Sequence, residues 1–358
     1  MKVAVIGASG FVGRHVLRVL RASGDEARAV VRNRSFAPLD PDRRIADACN
    51  VDALREALAG YECVVHCVLG AAEVILGSLA PVYAAAQAVG VRRLVYMSTG
   101  SVHGQTPAPG TDETSPLHVH HAFAYNNAKV RAERKLRRLR KRGTVEVVML
   151  RPTIVIGPDS RWVYDFASSL QNGTAYVVDG GRGVCNSIYV DNLAHAVRLA
   201  LTAPGIDGEA FLVGDRETVT WRDLYRPIAS ALGYDLDAVP SVSPPPLRPG
   251  FRERYVQPIR TSELGQALLA RVPAGIKNRM RRALRLRRGT PEGAAPELGG
   301  AASTRRPVVT DEMTALHRCQ WRLPHDKAVR LLGYVPPISF AEGCRRSCES
   351  LQPRARRA

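Results

Sequence analysis

The apolar positions of the chain alternate between short continuous runs and longer stripes at helical spacing. The β-branched run Lys2-Val3-Ala4-Val5-Ile6 reads as a strand, and residues 11–20 repeat their apolar side chains with the period of a helix. A second strand is read at 27–31, an apolar fourth strand around Cys63 and Cys67, and a helix over 123–142, a stretch without proline. Asp191 heads an apolar-periodic helix over 192–201, where its short carboxylate suits an N-cap. Val219-Thr220-Trp221-Arg222-Asp223-Leu224 marks another helix start. Repeats and low-complexity runs are absent from the first 240 residues.

The first turn reads Gly7-Ala8-Ser9-Gly10-Phe11-Val12-Gly13. Between a strand and a helix, such glycines permit turn dihedrals that other residues resist and let the backbone approach a pyrophosphate. Amides at the helix N-terminus then meet the phosphate charge. Alone the loop is a weak signal, because an ordinary strand-to-helix turn also uses glycine. Tyr125 and Lys129 are four residues apart and so share one helix face. An ammonium beside a phenol favours the phenolate and lowers the tyrosine pKa, so that Tyr125 can trade a proton with a substrate hydroxyl or carbonyl, with Thr99 bonded to the same oxygen. A solvated surface pair is the alternative reading of that spacing.

These pieces occur in order with Val64-Val65-His66-Cys67, Leu94-Val95-Tyr96-Met97-Ser98-Thr99, Leu150-Arg151-Pro152-Thr153, Gly157-Pro158, Ile188-Tyr189-Val190-Asp191-Asn192 and Leu331-Leu332-Gly333-Tyr334. On these motifs, which span about two-thirds of the chain, it resembles an extended short-chain dehydrogenase/reductase, the group that includes the NAD-dependent epimerase/dehydratase family. The resemblance implies an α/β fold: a Rossmann-type doubly wound parallel sheet from residues 1–160 and 184–214, with a smaller C-terminal substrate lobe from 161–183 and 215–350. It implies Thr99, Tyr125 and Lys129 as catalytic residues. Gly7, Gly10, Phe11, Val12 and Gly13 would bind the dinucleotide, Asp47 would lie near the adenine, and Lys129 would hold the nicotinamide ribose. The Pro152-Thr153 backbone would face the nicotinamide. Similar proteins are often homodimers.

The second strand ends in Arg32-Asn33-Arg34-Ser35, where a chain built for NAD usually carries a carboxylate for the ribose 2′-hydroxyl. An arginine there pairs instead with a 2′-phosphate, which predicts NADP(H), with NAD as the alternative, and makes Arg32 the first candidate and Arg34 the second. Sugar-nucleotide 4,6-dehydratases carry an Asp-Glu pair directly after the catalytic threonine. Gly100 and Ser101 stand there instead, which leaves no acid and base to eliminate water. His103 stands where the family more often has tyrosine, and Ala124 where proline commonly precedes the catalytic tyrosine. Many nucleotide-sugar enzymes place an arginine just before the Val-Asp motif. Here the stretch is Val184-Cys185-Asn186-Ser187, with Arg182 as a substitute, and Arg-Pro-Thr also occurs in members resembling dihydroflavonol reductases and 3β-hydroxysteroid dehydrogenases.

Composition narrows the partners. The 358 residues are 45% hydrophobic, enough for one large α/β domain with a smaller lobe. The net charge of +18 is concentrated: residues 131–142 hold eight basic and one acidic residue, and 252–288 hold eleven and two. The remainder is close to neutral and has no aromatic stacking motif, which argues against a nucleic-acid binder. The first basic segment continues the Tyr125/Lys129 helix as its solvated face. The second, within an insertion at about 240–310, sets Val272, Ile276, Met280, Ala283 and Leu284 on one stripe among arginines. It reads as a lid helix, or as a peripheral contact of 272–288 with an anionic membrane. No apolar stretch is long enough to span a bilayer, so the expected location is cytoplasmic. Seven cysteines without Cys-x-x-Cys argue against a disulfide framework or structural zinc, and His118, His120 and His121 lack a partnering carboxylate or cysteine pattern, so no metal is expected. The expected function is an NAD(P)-dependent oxidoreductase or epimerase acting at a secondary alcohol or ketone carbon of a small molecule. A nucleotide sugar or similar polar metabolite is the first candidate substrate. A reductase like the dihydroflavonol and 3β-hydroxysteroid enzymes is the second, and a non-catalytic NADP-binding regulator the third.

Overall fold

Seven parallel strands form the central sheet of the computed structural model, which describes residues 1–33, 42–245 and 309–351. In chain order the strands are β1 (Lys2–Ile6), β2 (Glu26–Val31), β3 (Arg44–Ile45), β4 (Cys63–His66), β5 (Arg93–Met97), β6 (Glu146–Pro152), β7 (Ile154–Ile156), β8 (Val177–Val178), β9 (Val184–Cys185), β10 (Ser187–Tyr189), β11 (Ala210–Val213), β12 (Val219–Thr220) and β13 (Ser241–Val242). The sheet order is β11-β6-β5-β4-β1-β2-β3. The chain runs outward from β1 through β2 and β3, then crosses back to lay β4 on the other side of β1. The strand order therefore reverses at the carboxyl ends of β1 and β4, where open sheets of this type bind ligands.

Both faces of the sheet are covered, and for that reason its strands are continuous apolar runs rather than alternating ones. Successive side chains still point to opposite faces. Val3, Val5, Val95 and Val148 pack under α1 (Phe11–Ala22) and α7 (Val190–Thr202), against Val16, Leu20 and Leu193. Ala4, Val64, Leu94 and Tyr96 pack under the opposite layer, which contains α2 (Val51–Leu58), α3 (Ala72–Gly77), α4 (Leu79–Ala88) and α5 (Ala124–Arg140). Leu20, Leu54 and Leu136 expose no surface, so truncating any one to alanine costs roughly 2–5 kcal/mol.

A third apolar cluster lies beyond the sheet. It joins α6 (Arg161–Gln171), α8 (Trp221–Ala231) and the C-terminal helix through Phe166, Trp221, Tyr225, Phe340 and Cys344. Phe166 stacks on Tyr225 at 3.7 Å, and His317 stacks on Trp221 at 4.4 Å. Helix α8 starts where Thr220 and Asp223 close a capping box. Three helices follow residue 308: α9 (Asp311–His317), α10 (Asp326–Leu332) and α11 (Phe340–Glu349). Ala328 and Leu332 of α10, with Tyr334 after it, join the apolar layer under α1 and α7.

One expected cap is corrected. Helix α7 begins at Val190 with Tyr189 as its N-cap, so Asp191 lies inside the first turn and makes no cap. Its carboxylate instead bonds His15 and Arg18 on α1. Arg34 and the basic stripe 272–288 lie outside the described residues. Among the described residues, no helix is long and apolar enough to cross a membrane, and no group of three His, Cys, Asp or Glu is placed to hold a metal ion.

Candidate active site

The turn after β1 is shaped by what it cannot contain. Gly7 has φ +80, and a Cβ there would lie 3.0 Å from the Cys67 carbonyl carbon and oxygen; on Gly13 a Cβ would lie 2.3 Å from the Gly7 carbonyl oxygen. The turn is therefore wound against its own backbone and that of Cys67 just after β4, with no room for a side chain at Gly13. Gly10 is the N-cap of α1 without a capping side chain, and the first helical turn holds no acidic residue. Its amides are thus left for an anion, reinforced by the helix dipole. Such a cradle fits the pyrophosphate of a dinucleotide. Phe11 packs edge-on against His15 at 5.4 Å. Arg32, directly after β2, is exposed, and so is Asp47, whose Oδ1 accepts the Cys49 N–H at 2.8 Å.

Thr99, two residues beyond β5, caps a 3-10 turn over Gly100–His103, its Oγ1 accepting the Ser101 N–H at 3.2 Å. Tyr125 enters from the first turn of α5, and its hydroxyl interacts with the Thr99 side chain. Lys129, 2% exposed, lies one turn on; its Nζ donates to the Met97 carbonyl at 2.7 Å and to Tyr96 Oη at 3.3 Å, and sits 5.9 Å from the Tyr125 ring centre. The structure thus brings Thr99, Tyr125 and Lys129 together at the carboxyl end of β5. The expected lowering of the tyrosine pKa is not found. Burial pushes Tyr125 up to about 12; the Thr99 side chain opposes that rise and the nearby Glu312 carboxylate adds to it. Burial likewise brings Lys129 down to about 8, opposed by Cys67 and Glu133. Cys67 links the halves, since its backbone bounds Gly7 and its thiol faces Lys129.

A buried platform beneath the triad is not evident from the motifs alone. Glu133 continues the Tyr125–Lys129 face by one more turn and is fully buried. Arg151 of β6 grips it with both arms, Nε to Oε1 at 2.9 Å and Nη2 to Oε2 at 2.7 Å, while Ser98 Oγ donates to Oε1 at 2.6 Å. Burial alone would raise the Glu133 pKa, but the Arg151 fork and Ser98 hold it below the usual carboxylate range. Arg151 Nη1 also reaches His103 Nε2 at 3.1 Å, so the turn after Thr99 is tied to the same anchor. Asn127 clamps the preceding loop, donating to the His121 carbonyl at 2.8 Å and accepting its N–H at 2.9 Å.

Two adjoining pockets lie beyond Gly100 and Ser101, the residues that follow Thr99. The outer part, about 360 Å³, is lined by Ser101, Gln105, Pro107, Ile154, Trp221 and Leu316 among others. The inner part, about 320 Å³, is lined by Ser187, Asp215, Glu217, Thr218 and Arg322 among others. Thr153, Val184, Asn186 and Leu323 line both, so the two parts adjoin. Arg182, the substitute arginine, lines neither. Asn186 ties the C-terminal segment across the cleft, accepting the Leu323 N–H at 2.8 Å and donating to the Trp321 carbonyl at 3.0 Å. Gln105 Nε2 donates to Glu312 Oε1 at 2.9 Å. Pro152 ends β6, and Thr153 after it has a buried Oγ1 without a hydrogen-bond partner among the described residues.

Comparison with known proteins agrees with this geometry. The sequence profile of the NAD dependent epimerase/dehydratase family matches residues 3–214. A 2-alkyl-3-oxoalkanoate reductase of Stenotrophomonas maltophilia is 30% identical over 65% of this chain and 76% of its own. A 3 beta-hydroxysteroid dehydrogenase/Delta 5-->4-isomerase of Mycobacterium tuberculosis is 28% identical over 65% and 70%. Among solved structures, the Thermus thermophilus UDP-glucose 4-epimerase in complex with NAD superposes with a TM-score of 0.66 at 21% identity, covering 99% of this chain and 100% of that one. A dTDP-glucose 4,6-dehydratase of Streptomyces venezuelae gives 0.68 at 21%, covering 99% and 98%. At these identities the two structures speak for the fold.

Proposed function

Because the chain belongs to the NAD dependent epimerase/dehydratase family and is an NAD(P)-dependent oxidoreductase/epimerase, we propose that it is an NADP(H)-linked reductase of a ketone on a small molecule with a largely apolar body. The observation that carries this reading is the Tyr125 hydroxyl, which interacts with Thr99, next in sequence to the Gly100-Ser101 wall of the cleft, and is kept protonated by burial. A protonated phenol is the acid that ketone reduction needs. The wall beside it, with Pro107, Ile154, Trp221 and Leu316, suits apolar substrate surface. The relatives named as a reductase and a hydroxysteroid dehydrogenase support the same reaction class.

The residues fit the dinucleotide as follows. The Gly7–Gly13 backbone, with Phe11 and Val12 opening α1, holds the pyrophosphate; Arg32 meets the 2′-phosphate, Asp47 lies on the adenine side, and Lys129 and the Pro152-Thr153 backbone hold the nicotinamide end. When bound, the nicotinamide supplies the hydride that enters the carbonyl carbon. Tyr125 delivers its proton to the carbonyl oxygen, Thr99 orients that oxygen, and the Lys129 charge stabilises the phenolate until solvent reprotonates it. Elimination of water from a sugar nucleotide is excluded from this proposal. Gly100 and Ser101 carry no carboxyl, and a Cβ on Gly100 would come 2.8 Å from Thr153 Cγ2.

The test is NADPH oxidation matched to ketone reduction by the purified chain. Tyr125→Phe is expected to lower kcat by about 10²- to 10⁴-fold while leaving the NADPH Kd unchanged. Undiminished turnover in that variant would remove the mechanism. A dinucleotide retained through purification and turnover, without net oxidation, would turn the reading to an epimerase.

A further inference from the structure

Tyr96 carries a hydroxyl that its packing does not require. The residue lies on β5 with Ala4, Val64 and Leu94, in the apolar layer under α2 to α5, and exposes no surface. A phenylalanine ring would fill that space as well. The oxygen has one hydrogen-bond partner among the described residues, the Lys129 ammonium, whose Nζ donates to it at 3.3 Å. Nζ also lies 4.8 Å from the centre of the Tyr96 ring, within the range of a cation–π contact. A buried hydroxyl costs free energy unless it is bonded, so an oxygen kept there for a single partner points to what that partner needs.

Lys129 is 2% exposed and has three N–H donors to satisfy. The Met97 carbonyl takes one at 2.7 Å and Tyr96 Oη takes a second. The other titratable groups that face it supply little more. Glu133, one turn along α5, is gripped by Arg151. At the end of β4, burial and then the Lys129 charge bring His66 down to about 3, and burial pushes the Cys67 thiol up to about 12. Tyr125, on the same helix, is kept protonated by burial. Burial also drives an ammonium toward its neutral form, and hydrogen bonds to the charged form oppose that. Tyr96 can accept such a bond without neutralising the charge, because burial, then Tyr125 and Glu133, push its own ionisation well above the usual tyrosine range. Resting on the reductase reading above, we infer that Tyr96 is a positioning residue of the site: its hydroxyl, with the Met97 carbonyl, fixes the Lys129 ammonium beside Tyr125 and reserves the third N–H for the dinucleotide ribose.

The test is the pH profile of kcat for ketone reduction with NADPH in wild type, Tyr96→Phe and Tyr83→Phe. Tyr83 is the control: it loses the same kind of oxygen at the amino end of the sheet, a hydroxyl bonded to the Val145 carbonyl at 3.1 Å. Wild-type turnover should fall as pH rises through about 8, where Lys129 loses its proton. Without the Tyr96 oxygen the fall should move to lower pH by roughly one to two units, and turnover below the shifted fall should approach the wild-type level. Tyr83→Phe should leave the fall in place. A fall unmoved in Tyr96→Phe, whether kcat is unchanged or lowered equally at every pH, overturns the inference, and so does an equal shift in Tyr83→Phe. If Tyr96→Phe folds poorly, 3-fluorotyrosine placed at the same position keeps the hydroxyl as a poorer acceptor and should move the fall in the same direction by less; no movement there overturns the inference as well. If the wild type reduces no ketone, the reductase reading fails instead, and the role of Tyr96 is judged by calorimetric binding of NADPH across the same pH range. The part of the affinity that Lys129→Met removes should then fade at lower pH in Tyr96→Phe than in wild type, and coincident curves overturn the inference.

Discussion

The glycine cradle and the cleft wall are built by opposite means. The cradle is seven consecutive residues of backbone, Gly7 to Gly13, shaped by the absence of Cβ atoms at its two ends. The cleft and its platform are side chains gathered from distant parts of the chain: Gln105 with Glu312, Trp321 with the Thr111 carbonyl at 2.9 Å, and Glu133 with Arg151. The first is steric and fails when atoms are added. The second is electrostatic and fails when atoms are removed.

Removal from the platform is the largest expected effect. Arg151→Met leaves Glu133 charged and fully buried, which should destabilise the fold by about 3–5 kcal/mol in urea titrations. Adding Glu133→Leu should restore much of that loss, because the uncompensated charge goes with it. If the double variant is no more stable than the single one, Arg151 acts by packing alone, and the contrast with the cradle loses its electrostatic side.

Lys129 stands between the two constructions, against Cys67 of one and Glu133 of the other. Burial lowers its pKa from 10.5 to about 8, so the folded state binds fewer protons than the unfolded state between those values. The penalty for burying the charge is complete below about pH 8 and is relieved as pH rises to the unfolded value, so this group makes stability increase with pH there. The stability gap between wild type and Lys129→Met should close by on the order of 3 kcal/mol over that window. Reductase turnover, which uses the lysine charge, should fall through the same window. Both quantities moving in the same direction would dissociate the charge from catalysis.

Adding atoms to the cradle should cost less. A Cβ on Gly13 meets only backbone, the Gly7 oxygen at 2.3 Å and Ala8 Cα at 2.9 Å, so Gly13→Ala is expected to lose about 1–3 kcal/mol together with dinucleotide affinity measured by calorimetry. Unchanged affinity would show that the close winding serves folding rather than the ligand.

The same contrast explains what was legible beforehand. A turn of Gly7, Gly10 and Gly13 between a β-branched run and an amphipathic stretch is local, and Tyr125 with Lys129 is a one-turn spacing, so both could be read from residue order. Glu133 carried a signal, one further turn along that face, but its importance depends on Arg151 arriving from β6. The cap at Asp191 is two positions late: Tyr189 is the N-cap and α7 starts at Val190, so the carboxylate bonds His15 and Arg18 on α1 instead of the helix end. The upward shift of Tyr125 depends on burial, a property of the assembled molecule. Gln105 and Glu312, 207 residues apart, had no spacing to betray them.

Arg32 gives the smallest expected effect and tests a residue beside the cradle, after β2, that would act by charge. It follows β2 directly and is exposed, so the proposed pairing with a 2′-phosphate would form in water and be screened by salt. Arg32→Ser should weaken NADPH binding about tenfold, worth about 1.4 kcal/mol, and leave NADH binding unchanged. The difference should shrink as ionic strength rises above about 0.5 M, where the screening length falls below the reach of the pair. An equal loss for both dinucleotides would make Arg32 a structural residue of the β2 end and return the choice between NADP and NAD to other groups. A selective loss that persists at high salt would mean that the guanidinium is desolvated by the bound phosphate, placing this corner of the cradle with the electrostatic half of the molecule.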